Sequence, residues 1–464
     1  MIDFSTLSKT LNGKPIAVFG LGKSGIATIN ALYKSGTAII IGDDDPEKAR
    51  ALCTTTITPL TPNFSNLSDC AFLILSPGIP LNFPEPHPVV TAAHRAGVKI
   101  IGDIELFSRI NASHKTIGIT GTNGKSTTTA LIAHILNSCG KSAIACGNIG
   151  TSILSINPTP DMIYVIEMSS FQIDLCSTFR PNIAVHLNIT PDHIDRHGTI
   201  ENYIAIKERI FEGPGIGFCG IDDDASSGMM IRVSKNNPLR RMTPVSVGMI
   251  QNNGITVTEN GDLIDRTTPT TSHPVFNLEN LPTLRGAHNA QNAAFAYAVS
   301  HACGCSAADI LNAMITYPGL PHRQLNVAKI GAVDYINDSK ATNADATEKA
   351  LKTFDHIHWI VGGLQKQGGL SGLEPYTSRI TRAYLIGSSS DDFARFMDAN
   401  HIPYERSETL DHAVKSAHIN AQRNGTPGTV LLSPACASYD QFKSYEHRGD
   451  VFTALVQSLL QTEK

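Results

Sequence analysis

Short apolar runs alternate along the chain with turns rich in glycine, proline or acidic residues and with stretches of helical periodicity. Residues 15–19 form the first run, and GLGKSG at 20–25 turns it into a helix with apolar positions Ile26, Ile29, Ala31 and Leu32. The run 38–41 ends at Gly42 and the acidic Asp43, Asp44 and Asp45, 72–75 ends in SPGIP at 76–80, and 99–101 leads out of the region. Strands alternating with helical stretches imply a mostly parallel sheet, so the pattern predicts a Rossmann-like α/β domain over 1–103.

The next run, 115–120, passes through GITGTNGKST at 118–127 into a helix beginning near Ser126 and carried by Leu131, Ile132, Ile135 and Leu136 to Cys139-Gly140. GNIG at 147–150 follows another strand, 162–166 ends at Glu167, and 182–187 ends at Asn188 and runs into TPDHIDR at 190–196. In the helix 201–211, Ile204, Ile206 and Ile210 point to packing partners, which leaves Lys207 reading as a solvated lysine. An Asn260-Gly261 turn within 254–264 predicts a hairpin and an antiparallel extension of the sheet. The rest of 213–278 says little. LRGAHNAQN at 284–292 opens an Ala-rich helix whose polar end suits a purine.

YPGLPHR at 317–323 reads as a hinge, so the central P-loop-type domain is expected over 104–318 and a Rossmann-like α/β domain over 319–464. In the latter, runs at 333–336, 358–361, 383–386 and 430–432 alternate with helical stretches. Three of them end in polar loops, NDSKATN at 337–343, GGLQKQGG at 362–369 and SPACASYDQF at 433–442. A length of 464 residues agrees with about three domains of ordinary size.

Composition narrows the ligands. With 41% hydrophobic and 17% charged residues and a net charge of -4, the chain is a globular protein with no electrostatic footprint for nucleic acid. Its Lys and Arg are scattered, so a phosphate-bearing ligand must be met by local sites, which favours a small molecule. The nine cysteines lack metal-ligand spacing and read as buried thiols in a reducing cytosol. Neither an export signal nor a membrane span is expected, and the location expected is cytoplasmic.

The loop at 118–127 is built for phosphate. Small residues let backbone N–H groups approach an anion, the helix N-terminus adds its positive end, Lys125 adds a charge, and Ser126 or Thr127 offers a hydroxyl to magnesium. Ile119 stands where the strict Walker pattern has glycine. In a parallel sheet the carboxyl ends of strands line the ligand crevice, so Lys125, Glu167 and His193 should converge, and a carboxylate with an imidazole beside phosphates suggests magnesium coordination. The plainer alternatives are a solvated Glu167 and a His193 that caps its own turn. GLGKSG with its following acidic run reads literally as an NAD site, although the same geometry holds any diphosphate. The SPGIP turn either brings backbone close to a ligand or is an ordinary Pro-Gly turn, and Asn148 is a polar residue in a tight loop. Asp338, Lys340 and Lys366 are each ordinary loop charges taken singly, and it is their clustering at strand ends that points to a ligand.

GITGTNGKST, GNIG, EMSSFQ, LNITPDHIDRH, HNAQNA, GLPHR, INDSKATN and LLSPACASYDQF, in that order, resemble the Mur ligases of peptidoglycan synthesis across nearly the whole chain. The closing segment is similar to the D-glutamate-adding branch, and the DNPR signature of the branch that adds diaminopimelate or lysine is absent. The resemblance implies ATP-dependent amide formation: the carboxylate of UDP-N-acetylmuramoyl-L-alanine takes the γ-phosphoryl group, and the amine of D-glutamate attacks the acyl phosphate. It implies ATP and two magnesium ions, replaceable by manganese; a monomer is the expected state, though sequence itself does not give it.

By the same resemblance Gly121, Thr122, Asn123, Gly124, Lys125, Ser126 and Thr127 cradle the phosphates of ATP, and Asn292 and Asp338 take adenine and ribose. Lys125 and Arg323 stabilise the transferring group. Ser126 and Glu167 hold one magnesium, and Glu167, His193 and Lys207 hold the second, Lys207 as a carbamate formed with CO₂. Leu21, Gly22, Lys23, Ser24, Ser76, Gly78 and Asn148 take the UDP diphosphate, and Asp43 accepts the uracil N3–H. D-glutamate falls to Thr342, Lys366, Ser438 and the backbone near Tyr445. Asp44, Asp45, Leu364, Gln365, Tyr439 and Tyr445 depart from a well-studied branch of the family. The rival readings are another Mur-type ligase, a folylpolyglutamate synthase and, from a different class, an NAD-dependent oxidoreductase built on 20–25.

Overall fold

The computed structural model describes residues 11–110, 114–267, 274–279, 281, 283–284, 286–365, 368–423 and 425–462. The first sheet has the strands β1 (Ile16–Phe19), β2 (Ile39–Gly42), β3 (Ile57–Pro59), β4 (Phe72–Leu75) and β5 (Lys99–Ile101), all parallel in the order β3-β2-β1-β4-β5. β1 and β2 are buried throughout, as a strand covered on both faces must be. β3, which the hydrophobic pattern did not mark, buries only Ile57 and lies at the edge.

The second sheet contains β6 (Lys115–Thr120), β7 (Ala143–Gly147), β8 (Ile163–Glu167), β9 (Ile183–His186), β10 (Gly215–Gly220), β11 (Arg240–Val247), β12 (Ile255–Val257), β13 (Asp262–Asp265) and β14 (Phe276–Asn277). Their order is β14-β13-β12-β11-β10-β9-β6-β8-β7. β12 and β13 form the expected antiparallel hairpin, and β14 extends it.

The two sheets share one compact unit, Met1–Asn280 with Ala287–Thr316. Between them runs the helix Asp103–Ile110, pinned by one carboxylate. Oε2 of the fully buried Glu105 accepts the backbone N–H groups of Ser177, Thr178 and Phe179 at 3.0, 2.8 and 3.1 Å. Its Oε1 accepts from the Ser177 and Thr178 hydroxyls and from Arg109. Burial alone would raise this carboxyl, but the donors, Thr178 foremost, hold it down at about 2.

The second unit, Leu281–Gly286 with Tyr317–Lys464, holds the third sheet. Its strands are β15 (Leu325–Ile330), β16 (Val333–Asn337), β17 (Ile357–Gly362), β18 (Ile380–Ile386), β19 (Tyr404–Glu408) and β20 (Gly428–Leu432), in the order β15-β16-β20-β17-β18-β19. Only the β15–β16 pair is antiparallel. Trp359, in β17, is a core residue whose indole N–H donates to the Ser433 carbonyl at 2.8 Å. All nine cysteines are free thiols and seven are buried. Among the described residues no helix is long and apolar enough to cross a membrane.

Candidate active site

In the second sheet β8, β6 and β9 are neighbours and parallel, so the loops after them leave the same edge. The loop after β6 needs glycine: at Gly124, with φ +85°, a Cβ would lie 2.3 Å from Asn292 Oδ1. Lys125 opens the helix Lys125–Ser138, and its Nζ donates to the carbonyls of Gly121 and Thr122 at 2.8 and 2.9 Å. Ser126 is buried at the base of the loop, and Thr127 is half-buried.

Residues outside the loop brace it, most of them with no role assigned from the sequence. Asn188 accepts the Asn123 N–H at 2.9 Å and donates to the Asn123 carbonyl at 3.3 Å and to Gln291 at 2.9 Å, and Gln291 donates to Asp222. The Thr122 hydroxyl meets Tyr203 and the Thr190 carbonyl, each at 3.1 Å. Asn292 is buried behind the loop, with Oδ1 accepting from Thr128 and Nδ2 donating to Asn289, each at 3.1 Å. The sequence signal for Asn188 and Asp222 is their place at the carboxyl ends of β9 and β10.

Lys207 corrects its own sequence reading. It is 1% exposed, not solvated, because the buried stripe of the helix Ile200–Glu208 and the turn after it is Tyr203, Lys207 and Ile210. Its Nζ donates to the Gly121 carbonyl at 2.9 Å and to Thr120 Oγ1 at 3.3 Å, and lies 4.7 Å from the centre of the Tyr203 ring. Burial, reinforced by the charge of Lys125 and opposed by Asp192, pushes the amine well below the ordinary lysine range. The same burial, with both lysines nearby, lowers the neighbouring His186 to about 3.

Glu167 is likewise not solvated: it is 2% exposed. Asn148 Nδ2 donates to its Oε1 at 2.8 Å, whereas the buried Oε2 has no hydrogen-bond partner. His193 has φ +53° and does not cap its helix. Its ring is half-exposed, 3.5 Å from the Asp192 carboxylate and 5.0 Å between centroids from Phe171. Among the described residues no group of three His, Cys, Asp or Glu side chains is arranged to hold a metal. The donors available to a cation are instead mixed in kind, among them the orphaned carboxylate oxygen of Glu167 at the end of β8 and the buried Lys207 amine on the Gly121 carbonyl at the end of β6.

The first sheet repeats the arrangement, with loops leaving the ends of the adjacent β2, β1 and β4. The Leu21 N–H donates to Asp43 Oδ2 at 2.6 Å, the Asp45 N–H to Oδ1 at 3.0 Å, and Lys48 lies 3.7 Å away. Partial burial would raise Asp43, but these donors outweigh it and keep its carboxyl below the usual range. Ser76 Oγ donates to the Gly20 carbonyl at 2.7 Å, and Lys23 donates to the Gly150 carbonyl, beside Asn148. Gly22 and Gly78 face open space, and Ser24 is half-buried at the start of the helix Lys23–Lys34. The departing Asp44 pairs with His87 at 2.9 Å.

In the third sheet β16, β20 and β17 are neighbours, which brings the three polar loops to one edge. Asp338 is buried and accepts the Gln324 N–H at 3.2 Å and the Ser433 hydroxyl at 2.8 Å. Burial lifts its carboxyl to about 7 against those bonds and the charge of Arg323. Lys340 donates to the Tyr445 hydroxyl at 2.9 Å, and Ser339 to the Tyr445 carbonyl at 2.8 Å. Thr342 is half-buried and Ser438 buried, while Lys366 lies outside the described residues. Sequence reasoning missed Arg448, which is 1% exposed and donates to Ser339 and to the Cys436 carbonyl, tying the loops after β16 and β20.

Three sheets, parallel around the strands that matter, each deliver polar loops from adjacent strand ends, and together they define the class of protein. Residues 14–102 match the Mur ligase MurD-like N-terminal domain and residues 119–300 match the Mur ligase middle domain. The UDP-N-acetylmuramoylalanine--D-glutamate ligase of Agrobacterium fabrum (strain C58) is 45% identical over 463 residues, spanning 97% of this chain and 96% of that protein. The protein of the same name from Rhodospirillum rubrum is 45% identical over 462 residues with the same coverage. The solved structure of UDP-N-acetylmuramate-alanine ligase from Thermotoga maritima is similar in fold, with a TM-score of 0.59 at 17% identity over 96% of this chain and 99% of that one. This chain belongs to the Mur ligase family. The NAD-dependent oxidoreductase reading of residues 20–25 falls with that membership.

Proposed function

We propose that this protein joins D-glutamate to UDP-N-acetylmuramoyl-L-alanine, with conversion of ATP to ADP and phosphate. The observation that carries the reaction class is Lys207, a buried amine whose Nζ donates to the Gly121 carbonyl of the glycine loop after β6. The relatives of 44–45% identity, named for this substrate pair, carry the choice of substrates.

A carboxylate resists an amine because its leaving group would be oxide, and phosphorylation replaces that with phosphate. The chain has to hold negative charge at the transferring group. Lys125, which rests on the carbonyls of its own loop, has only to exchange them for phosphate oxygens to do so. Magnesium, held in this reading by Ser126, Glu167, His193 and Lys207, supplies positive charge at the transferring phosphoryl group. Burial favours the neutral Lys207 amine, whose lone pair can bond to the carbon of CO₂ while a proton leaves the nitrogen to solvent. The carbamate so formed is anionic and can ligate a cation, which an ammonium cannot. The Glu167 oxygen supports the same reading, since a buried unpaired carboxylate oxygen is costly unless a cation joins it.

Asp43, Leu21, Gly22, Lys23, Ser24, Ser76, Gly78 and Asn148 take the UDP end of the acceptor in this reading. Asp43 keeps lone pairs to spare after accepting from Leu21 and Asp45, as an acceptor for the uracil N–H must. Thr342, Lys366, Ser438 and the Tyr445 backbone serve D-glutamate. Coupled phosphate release with UDP-N-acetylmuramoyl-L-alanine and each amino acid tests the assignment. Turnover is expected with D-glutamate and magnesium together, and L-glutamate and meso-diaminopimelate should be nearly inert. Comparable turnover with diaminopimelate overturns the choice of substrate.

A further inference from the structure

Arg196 touches two loops that the reaction, as read above, uses for different purposes. It lies in the short turn Ile194–His197 that follows His193, and its NH1 donates to the carbonyl of Gly78 at 3.0 Å. Gly78 belongs to the loop at the end of β4, in the other sheet of the same unit. The guanidinium carbon also sits 4.8 Å from the centre of the Phe171 ring.

Phe171 is the hub. It stands four positions beyond Glu167, in the turn of helix Ser170–Asp174, and its ring meets three side chains of the His193 loop. The His193 ring is 5.0 Å away, the His197 ring is stacked at 5.2 Å and 13°, and Arg196 covers a further part of the aromatic surface. His197 is itself fixed by Ser170, at 2.8 Å between Oγ and Nε2. His193, half-exposed and without a cap bond, has Phe171 as its aromatic support. The same two segments approach closely at Gly198, where a Cβ, were there one, would lie 3.4 Å from the Phe83 ring, just beyond the β4 loop.

The Arg196 link is retained at a cost. Its Nε–H is buried without an acceptor, an unmet donor that accompanies the bond from NH1 to Gly78. A bond kept under that penalty, between a loop assigned to a diphosphate and a loop assigned to a cation, is the arrangement expected when one loop reports its occupancy to the other.

We propose that Arg196 and Phe171 are positioning residues that couple the Ser76, Gly78 loop to His193, so that a uridine diphosphate group on the first loop tightens cation binding at the second. The inference rests on the functional reading above. When a diphosphate draws the Gly78 backbone toward itself, the carbonyl carries Arg196 along. Arg196 and the Phe171 ring then fix the orientation of His193, which in their absence would be set only by a half-exposed loop.

The test uses the full-length protein with UDP and Mn²⁺ as probes, neither of which requires turnover. Mn²⁺ affinity is measured by electron paramagnetic resonance with and without saturating UDP, and UDP affinity by calorimetry with and without Mn²⁺. In the wild type UDP should tighten Mn²⁺ on the order of tenfold, and reciprocity requires Mn²⁺ to tighten UDP by the same factor. Arg196→Met and Phe171→Leu should each bring that factor close to one, and Arg196→Lys, which keeps the donor to Gly78 but loses the planar stack, should fall between. A merely structural role would lower melting temperature without changing the factor, so an intact factor in a folded Arg196→Met protein overturns the proposal. Independent binding of both probes in the wild type overturns the coupling alone. Failure of the wild type to bind UDP at all overturns the functional reading and the coupling with it.

Discussion

The glycine loops after β1 and β6 occupy the same place in their sheets and are filled with opposite charge. In the first, a carboxylate reaches the backbone, Asp43 accepting the N–H of Leu21. In the second, two amines reach it, Lys125 and Lys207 both donating to the carbonyl of Gly121. The glycines do different work as well. At Gly25 a Cβ would strike the Gly20 carbonyl at 2.0 Å, which closes helix against strand, while at Gly124 it would strike Asn292, which braces the loop from behind. A loop that already holds an anion is suited to recognise a ligand by shape and hydrogen bonding. One lined by amines is suited to hold charge that builds up during a reaction. The fold supplies the loop, and the side chains from neighbouring strand ends decide between recognition and chemistry.

The largest expected effect tests the chemical side. Lys125→Met should lower kcat/KM for phosphate release on the order of 10³-fold, the scale for removing a charge from a transferring phosphoryl group. A loss below about tenfold would place the central loop beside the first as a recognition loop. Lys207→Ala should cost on the order of 10²-fold, and formate or acetate should restore part of the rate by filling the vacated space with an anionic oxygen pair. Methylamine should not. Because Lys207 is buried, Ala there should also cost about 1–3 kcal/mol of stability, so Lys207→Met, which keeps the volume, is the control for folding. Near-wild-type turnover in either variant would remove the carbamate from the mechanism. The smallest effect belongs to the recognition loop. Asp43 accepts on both oxygens, so Asn must turn an N–H toward one of the two donors, and Asp43→Asn should raise KM for the UDP substrate roughly tenfold while kcat holds. A fall in kcat matching that of Lys125→Met would erase the difference between the loops.

Where sequence reading succeeded, local pattern and tertiary role agreed. β4, β5 and β6 were legible to the residue because each is a strand of a parallel sheet bounded by turn residues. β19, YERSE, buries only Ser407 at a sheet edge, and β11, RRMTPVSV, opens on two arginines and contains a proline, so neither shows the apolar signal that marks a strand. The polar loops were legible because the strand ends they follow are recognisable. What lies behind them was not, since Asn188, Gln291 and Arg448 are polar residues whose partners sit far along the chain. Lys207 shows the limit most clearly. Its spacing with Tyr203 and Ile210, at i, i+4 and i+7, is that of a buried helical stripe, but a lysine in such a stripe reads as polar until the glycine loop that covers it is known.

The Glu105 clamp has a consequence for how the molecule comes apart. Three successive amides converging on one acceptor form the kind of nest that suits an anion, and here the protein fills it with its own side chain. The joint between the first two sheets is therefore a rivet and not a hinge, and they should melt as one calorimetric transition at neutral pH. Its strength depends on acidity in a fixed direction. The folded carboxyl titrates near 2, below its ordinary 4.5, so the contribution is full above about pH 4.5 and fades as pH falls toward 2. The shift corresponds to about 3 kcal/mol. Scanning calorimetry in acid should show that single transition broaden or split, and Glu105→Gln should show the same split already at pH 7. One sharp transition in the variant at neutral pH would mean that apolar packing alone welds the two sheets together.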